Sequence, residues 1–396
     1  MLSWEQLPAL LAQPGQIASA QQVVRQRAWV EISDRALSTN VRHLRQLLGP
    51  QTDLMAVVKA DAYGHGALKV AQTVLAAGAS WLAVATLQEG VELRAGGIEA
   101  PILLLGASNT PEEVEAIARW KLQPTLGAVQ QALVFSETLA ALGQTLPVHL
   151  KLDTGMSRLG TLWTDAVGFG RFVAQLPNLS VASVYSHLAT ADDPDPTIAR
   201  QQHRRFTEAI GALRAANLAP PRLHLANSAA MLSDRALHYD LVRVGLALYG
   251  LYPAAHLREA VALRPVMQVK ARVTQVKTIP AGSGVSYGHL FVTDRPLRVA
   301  VVGIGYADGV PRNLSNRLEV LLRGQRVRQI GAIAMDQLML DVDAVPDVQA
   351  GETAVLLGTD GNAAISADEW AQKLGTISWE ILCGFKHRLP RVSTTD

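Results

Sequence analysis

A single cysteine, Cys383, stands among 396 residues. One thiol excludes an internal disulfide framework and fits a reducing compartment. Aromatic residues make up only 5%, and no unbroken apolar run is long enough to span a membrane. Neither sign of charge dominates. Lysine plus arginine number 36 against 34 acids, and the net +2 is spread without basic runs, so nothing points to nucleic acid. The opening stretch MLSWEQLPALLAQPGQ lacks a basic leader, and Glu5 and Pro8 interrupt its short apolar segment. It does not read as a signal peptide. A cytoplasmic protein with no membrane partner is expected.

What the chain does have is apolar residues, 49% hydrophobic against 18% charged, which suits a large core. Its length predicts two domains. Eight short apolar runs recur between residues 53 and 250: LMAVVK (54–59), WLAVAT (81–86), PILLLG (101–106), LQPTLG (122–127), VHLKLDTG (148–155), VASVYSH (181–187), RLHLANS (222–228) and LVRVGLALYG (241–250). Several are apolar on both faces, as buried parallel strands require. Amphipathic segments lie between them, among them TPEEVEAIARW (110–120), where threonine, proline and two acids mark a helix start. The pattern predicts an α/β fold, a (β/α)8 TIM-type barrel, with a doubly wound sheet as the alternative. From about Arg264 the sequence alternates and turns often on glycine, predicting a mostly β C-terminal domain. The expected division is an N-terminal extension at 1–27, a barrel at 28–265 and the β domain at 266–396. The strand AWVEIS (28–33) precedes the first barrel-type helix and is a candidate for the β domain.

Barrel chemistry collects at the C-terminal ends of the strands. Those ends carry Lys59, Thr86, Gly106, Lys151 with Asp153, His187, Asn227 with Ser228, and Arg243 with Gly245. Each has an ordinary reading. A lysine closing a strand is commonly a solvated loop residue, His187 suits a core histidine, and Arg243 could simply pair with Asp240. Asp192, Asp193 and Asp195 fall around prolines in a polar loop, and no second histidine has ligand spacing, so no metal is expected. GIGYADG (303–309) fails the spacing of a phosphate loop. It is the recurrence of polar groups at equivalent strand ends that argues for a site.

The stretch VVKADAYGHG (57–66) resembles the pyridoxal-phosphate attachment motif of the alanine racemase family. The resemblance continues through KLDTGMSRLG (151–160), SHLATAD (186–192), HLANSAA (224–230), VRVGLALYG (242–250), VSYG (285–288), GYADG (305–309) and AMDQLM (334–339), and it covers nearly all of the chain after residue 28. It implies the same barrel and β domain. It also implies Lys59 as the lysine that carries pyridoxal 5'-phosphate, and phosphate contacts from Tyr63, Ser228 and the backbone at Gly245 and Leu246. Arg243 is implied to face the pyridine nitrogen, with His187 and Asn227 near the cofactor. Arg158 and the Met335 backbone N–H are implied to hold the substrate carboxylate, supported by Lys151, Tyr306 and Asp336. Lys151 matches a lysine that is carbamylated in several relatives.

The implied reaction is interconversion of L- and D-alanine by two bases on opposite faces of Cα, Lys59 and Tyr287. The second base comes from the partner in a homodimer with shared sites, and the product supplies peptidoglycan. A racemase of serine or lysine is the enzymatic alternative, and a pyridoxal-phosphate-binding regulator the non-catalytic one. The sequence departs from the family at GFKHRLPR (384–391), where His387 stands in place of a tyrosine that often touches the cofactor phosphate.

Overall fold

The computed structural model describes residues 27–395, so the extension expected at 1–27 lies outside the described residues except for Arg27. The chain divides into two compact units. One is Asp34–Pro265, and the other joins the strand Ala28–Ser33 to the residues from Val266 onward.

In the first unit all eight apolar runs contribute strands: Asp53–Val57, Trp81–Val84, Ile102–Leu104, Gln123–Leu126, Leu146–Asp153, Leu179–Tyr185, Leu223–His224 and Leu241–Val244. From the first to the seventh each pairs in parallel with the next, and the eighth pairs with the first, with Leu241 opposite Asp53 and Val244 opposite Ala56. The seventh and eighth are joined by Asp240 N to Leu223 O (3.1 Å) and Arg243 N to Ala226 O (2.9 Å). This ring is a (β/α)8 barrel, and the doubly wound alternative falls.

Local chemistry sets the helices between the strands. Thr110 caps Pro111–Arg119 by accepting from Glu113 N, while the Glu113 side chain reaches back to the cap backbone. Thr86 and Glu89 form the same box ahead of Leu87–Ala95. Gly143 ends Val129–Leu142 in the left-handed region.

In the second unit, strand pairing runs from Thr353–Asp360 through Glu319–Leu322, Gln325–Ile330, Leu338–Asp341 and Leu297–Val302 to Met267–Ile279. Met267–Ile279 also pairs with Thr353–Asp360, so these six strands form a closed ring. The strand Ala28–Ser33 extends this sheet, antiparallel to Met267–Ile279 and parallel to Arg391–Thr394. A hairpin of Gly284–Val285 and Phe291–Val292 packs Val285 and Phe291 against Leu297, Val299 and Ile330.

Candidate active site

Lys59 follows the first barrel strand by two residues, and the backbone after it does something the sequence did not suggest. Ala60, Asp61, Ala62 and Tyr63 have φ of 52, 52, 53 and 54°, a single left-handed helical turn with no glycine in it. Each such residue costs ~1–2 kcal/mol, so the turn persists only where its surroundings hold it. Glu89 does much of that holding. One carboxylate oxygen accepts from Ala60 N (2.6 Å), and the other accepts from Ala85 N (2.7 Å) and Thr86 N (3.1 Å). Asp61 accepts from Ala67 N at 2.7 Å and anchors the exit. The turn buries Tyr63 against Tyr249, with ring centroids 4.9 Å apart, while Lys59 stays half-buried.

Next to this turn in the barrel is the end of the eighth strand. Ser228 Oγ accepts from Gly245 N (3.0 Å) and Ala247 N (3.4 Å), gathering backbone N–H groups around one hydroxyl. A Cβ at Gly245 would lie 2.6 Å from the Tyr63 hydroxyl oxygen, so the close approach requires glycine. Leu246 begins the 3-10 turn that follows. Asn227 caps the short helix Ser228–Ser233 by accepting from Ala230 N at 3.0 Å.

Arg243 is 3% exposed. It does not pair with Asp240, whose carboxylate accepts from Leu223 N instead (2.7 Å). Its Nη1 donates to His224 Nδ1 (3.0 Å), and its Nη2 donates to Ser186 O (2.8 Å), Leu225 O (3.0 Å) and His187 Nδ1 (3.1 Å). Among the described residues no acid pairs with it. Burial lowers its pKa to about 10, and it remains a cation at neutral pH. Burial, then the nearby cations, hold His187 well below the ordinary histidine range.

Lys151 faces the same interior. Its Nζ lies 5.3 Å from the Tyr185 ring centroid, and the Arg243 guanidinium lies 5.1 Å from it. Burial first, then Arg243 and Arg158, push the Lys151 ammonium down to about 8. Asp153 organises the loop beyond by accepting from Gly155 (2.9 Å), Met156 (3.0 Å) and Ser157 (3.1 Å) N–H groups. That loop presents an exposed Arg158.

The remaining expected residues lie in the β unit. Tyr306 N donates to Ala334 O and Ala307 N to Met335 O, both at 3.0 Å, which brings Tyr306 and Met335 together. Arg27 fixes this pair of loops from beneath, reaching both oxygens of the buried Asp308 (2.7 and 2.6 Å). Asp336 pairs with Arg388. Tyr287 stands 73% exposed on the turn of the hairpin, beside the exposed Leu290 and Val292. His387 is also exposed. Glu89, His224 and Arg27 were not singled out from sequence. His224 sits inside HLANSAA, but its partner Arg243 is 19 residues away and Arg27 is 281 residues from Asp308.

Two family models match the chain: alanine racemase, N-terminal domain, over residues 32–253, and alanine racemase, C-terminal domain, over residues 266–393. An alanine racemase of Synechocystis sp. is 65% identical over 93% of this chain and 100% of its own length. One from Nostoc sp. is 64% identical over 93% and 96%. Among solved structures, alanine racemase from the D-cycloserine-producing Streptomyces lavendulae superposes with a TM-score of 0.88, at 38% identity over 93% of this chain and 97% of that one. Polar groups gathered at the C-terminal ends of eight barrel strands, in a chain that also carries a β domain, mark a two-domain barrel enzyme. The chain belongs to the alanine racemase family. That family uses pyridoxal phosphate. No helix among the described residues is long and apolar enough to cross a membrane.

Proposed function

We propose that this chain interconverts L-alanine and D-alanine, with pyridoxal phosphate held in the barrel mouth through Lys59. The observation that carries the reading is Arg243, a buried cation with no acid partner among the described residues, on the strand paired with the one that leads to Lys59. The residues suit the cofactor. The hydroxyls of Tyr63 and Ser228 and the N–H groups of Gly245 and Leu246 are donors of the kind a phosphate needs, and the absent side chain at Gly245 leaves room beside Tyr63.

When bound, the cofactor supplies an electron-withdrawing ring that acidifies Cα–H of an attached amino acid. Arg243 would face the ring nitrogen as a fixed cation and oppose its protonation, which would keep negative charge close to Cα and favour return of the proton there. His187 and Asn227 would line the ring. Arg158 and the Met335 N–H hold the substrate carboxylate, with Lys151, Tyr306 and Asp336 in support. Proton transfer on opposite faces needs two groups: Lys59 Nζ serves the D side and Tyr287 Oη the L side. The exposed apolar surface of Tyr287, Leu290 and Val292 fits a second copy of the chain, so the active form is a homodimer with shared sites. D-alanine made this way in the cytoplasm supplies peptidoglycan.

Chiral analysis of purified protein incubated separately with L-alanine, L-serine and L-lysine tests the reading. Alanine should be racemised fastest. Faster turnover of serine or lysine would overturn the substrate, and no turnover of any would overturn the activity.

A further inference from the structure

Below Arg243 the barrel interior holds a row of polar side chains that the catalytic reading does not use. Lys151 and His149 alternate on one strand and Tyr185 and Ser183 on the next, so each pair shares the inward face. His149 lies opposite Ser183 in register, and Tyr185 opposite His224. The contacts form one line: Arg243 Nη1 to His224 Nδ1 (3.0 Å), His224 Nε2 to Ser183 Oγ (2.8 Å), Ser183 Oγ to His149 Nδ1 (2.6 Å), and His149 Nε2 to Gln123 Oε1 (2.7 Å). The line runs from the barrel mouth to the first residue of the strand Gln123–Leu126, at the opposite end of the barrel.

The direction of this line follows from what each group can do. A guanidinium has only donors, so His224 Nδ1 accepts and its proton sits on Nε2. That N–H donates to Ser183 Oγ. Ser183 has just two partners among the described residues, so its own proton goes to His149 Nδ1. His149 then carries its proton on Nε2 and donates to Gln123. A charged His149 would place N–H groups against Ser183 from both sides and leave the buried hydroxyl proton with no acceptor. The groups packed around the line agree. Tyr185 stacks on His224 with ring centroids 4.5 Å apart, Trp81 meets His149 edge-on at 5.7 Å, and the cations facing His224 are Arg243, Lys151 and Arg222. Burial alone takes His149 to about 3.

We propose that Ser183 and His149 are positioning residues for Arg243: with His224 they form a one-way hydrogen-bond chain that fixes the guanidinium in place and keeps both histidines neutral. The consequence for catalysis rests on Arg243 facing the cofactor ring; the direction of the chain does not. Ser183→Ala removes the only acceptor for His224 Nε2–H among the described residues. The ring is then free to turn over, and Arg243 loses a defined partner.

Neutron diffraction from deuterium-exchanged crystals of the holoenzyme tests the chain directly. Deuterium should appear on Nε2 of His224 and His149 and on neither Nδ1, with the Ser183 hydroxyl pointing at His149. Deuterium on Nδ1 of either ring overturns the proposal, whatever the enzyme's substrate proves to be. In solution, Ser183→Ala should lower kcat roughly tenfold, the scale of one hydrogen bond to a buried charged network, with KM within about twofold. It should also raise the keto acid released per racemisation event, and Ser183→Thr should restore both. Wild-type kcat and product ratio in a folded Ser183→Ala protein overturn the positioning role. If that variant fails to fold, the neutron result on the unaltered protein still decides.

Discussion

Arg243 and His224 meet at 3.0 Å as guanidinium donor and imidazole acceptor, both buried and with no carboxylate among the described residues joining them. An acid in the place of Arg243 would hold a proton on the cofactor ring and draw charge away from Cα. Arg243→Glu should therefore shift the balance from racemisation towards transamination, measured as pyruvate formed per alanine racemised. An unchanged ratio in folded, cofactor-loaded protein would remove Arg243 from the ring nitrogen.

Gly245 and Tyr63 set the width of the proposed phosphate cradle. A methyl group at 245 would lie 2.6 Å from the Tyr63 hydroxyl oxygen, so Gly245→Ala forces that ring aside. The expected result is cofactor affinity weakened about tenfold or more, equivalent to ~1.4 kcal/mol. Titration of cofactor-free protein with pyridoxal phosphate measures it, and unaltered affinity would place the phosphate elsewhere.

The left-handed turn after Lys59 makes a stability prediction of unusual sign. Ala60 is exposed at φ 52°, where glycine is at ease and alanine is not. Ala60→Gly should stabilise the fold by ~0.5–1 kcal/mol, the relief of strain exceeding the entropy gained by the unfolded chain. Glu89→Gln trades an acceptor for a donor against backbone N–H groups and should destabilise by ~1–3 kcal/mol. Denaturant midpoints report both.

Lys151 links the site to pH. With its pKa near 8, a large fraction of the amine is neutral in mildly alkaline solution and open to carbon dioxide. Labelled bicarbonate should give a carbamate signal in carbon NMR that grows as pH rises towards 8 and is lost in Lys151→Met. For stability the sign is fixed by the lowered pKa. Between about 8 and the ordinary 10.5 the unfolded chain binds more protons than the native one, so stability rises with pH across that window. Lys151→Met should remove this rise.

The barrel was legible because both faces of its strands are buried, which leaves short apolar runs at regular spacing. The strand-end residues were legible through position alone, and their implied roles through the family motifs. The turn at Ala60–Tyr63 was not legible, since alanine and tyrosine have no local preference for positive φ and much of what holds the turn comes from Glu89, 29 residues from Ala60. Gln123, His149 and Ser183 read as ordinary interruptions of strands. Their alignment depends on register between neighbouring strands, which periodicity does not specify. Likewise the strand Ala28–Ser33 takes its place from partners more than 230 residues later.

The proposed reaction requires proton transfer at Cα from opposite faces by Lys59 and Tyr287. Exchange of the alanine Cα proton in deuterated solvent, followed separately for each enantiomer, tests it most directly. Tyr287→Phe should keep the cofactor bound through Lys59 and suppress exchange from L-alanine by ~10²–10⁴-fold, far more than exchange from D-alanine. Equal suppression for both enantiomers, or none for either, would contradict the assignment of Lys59 and Tyr287 to opposite faces.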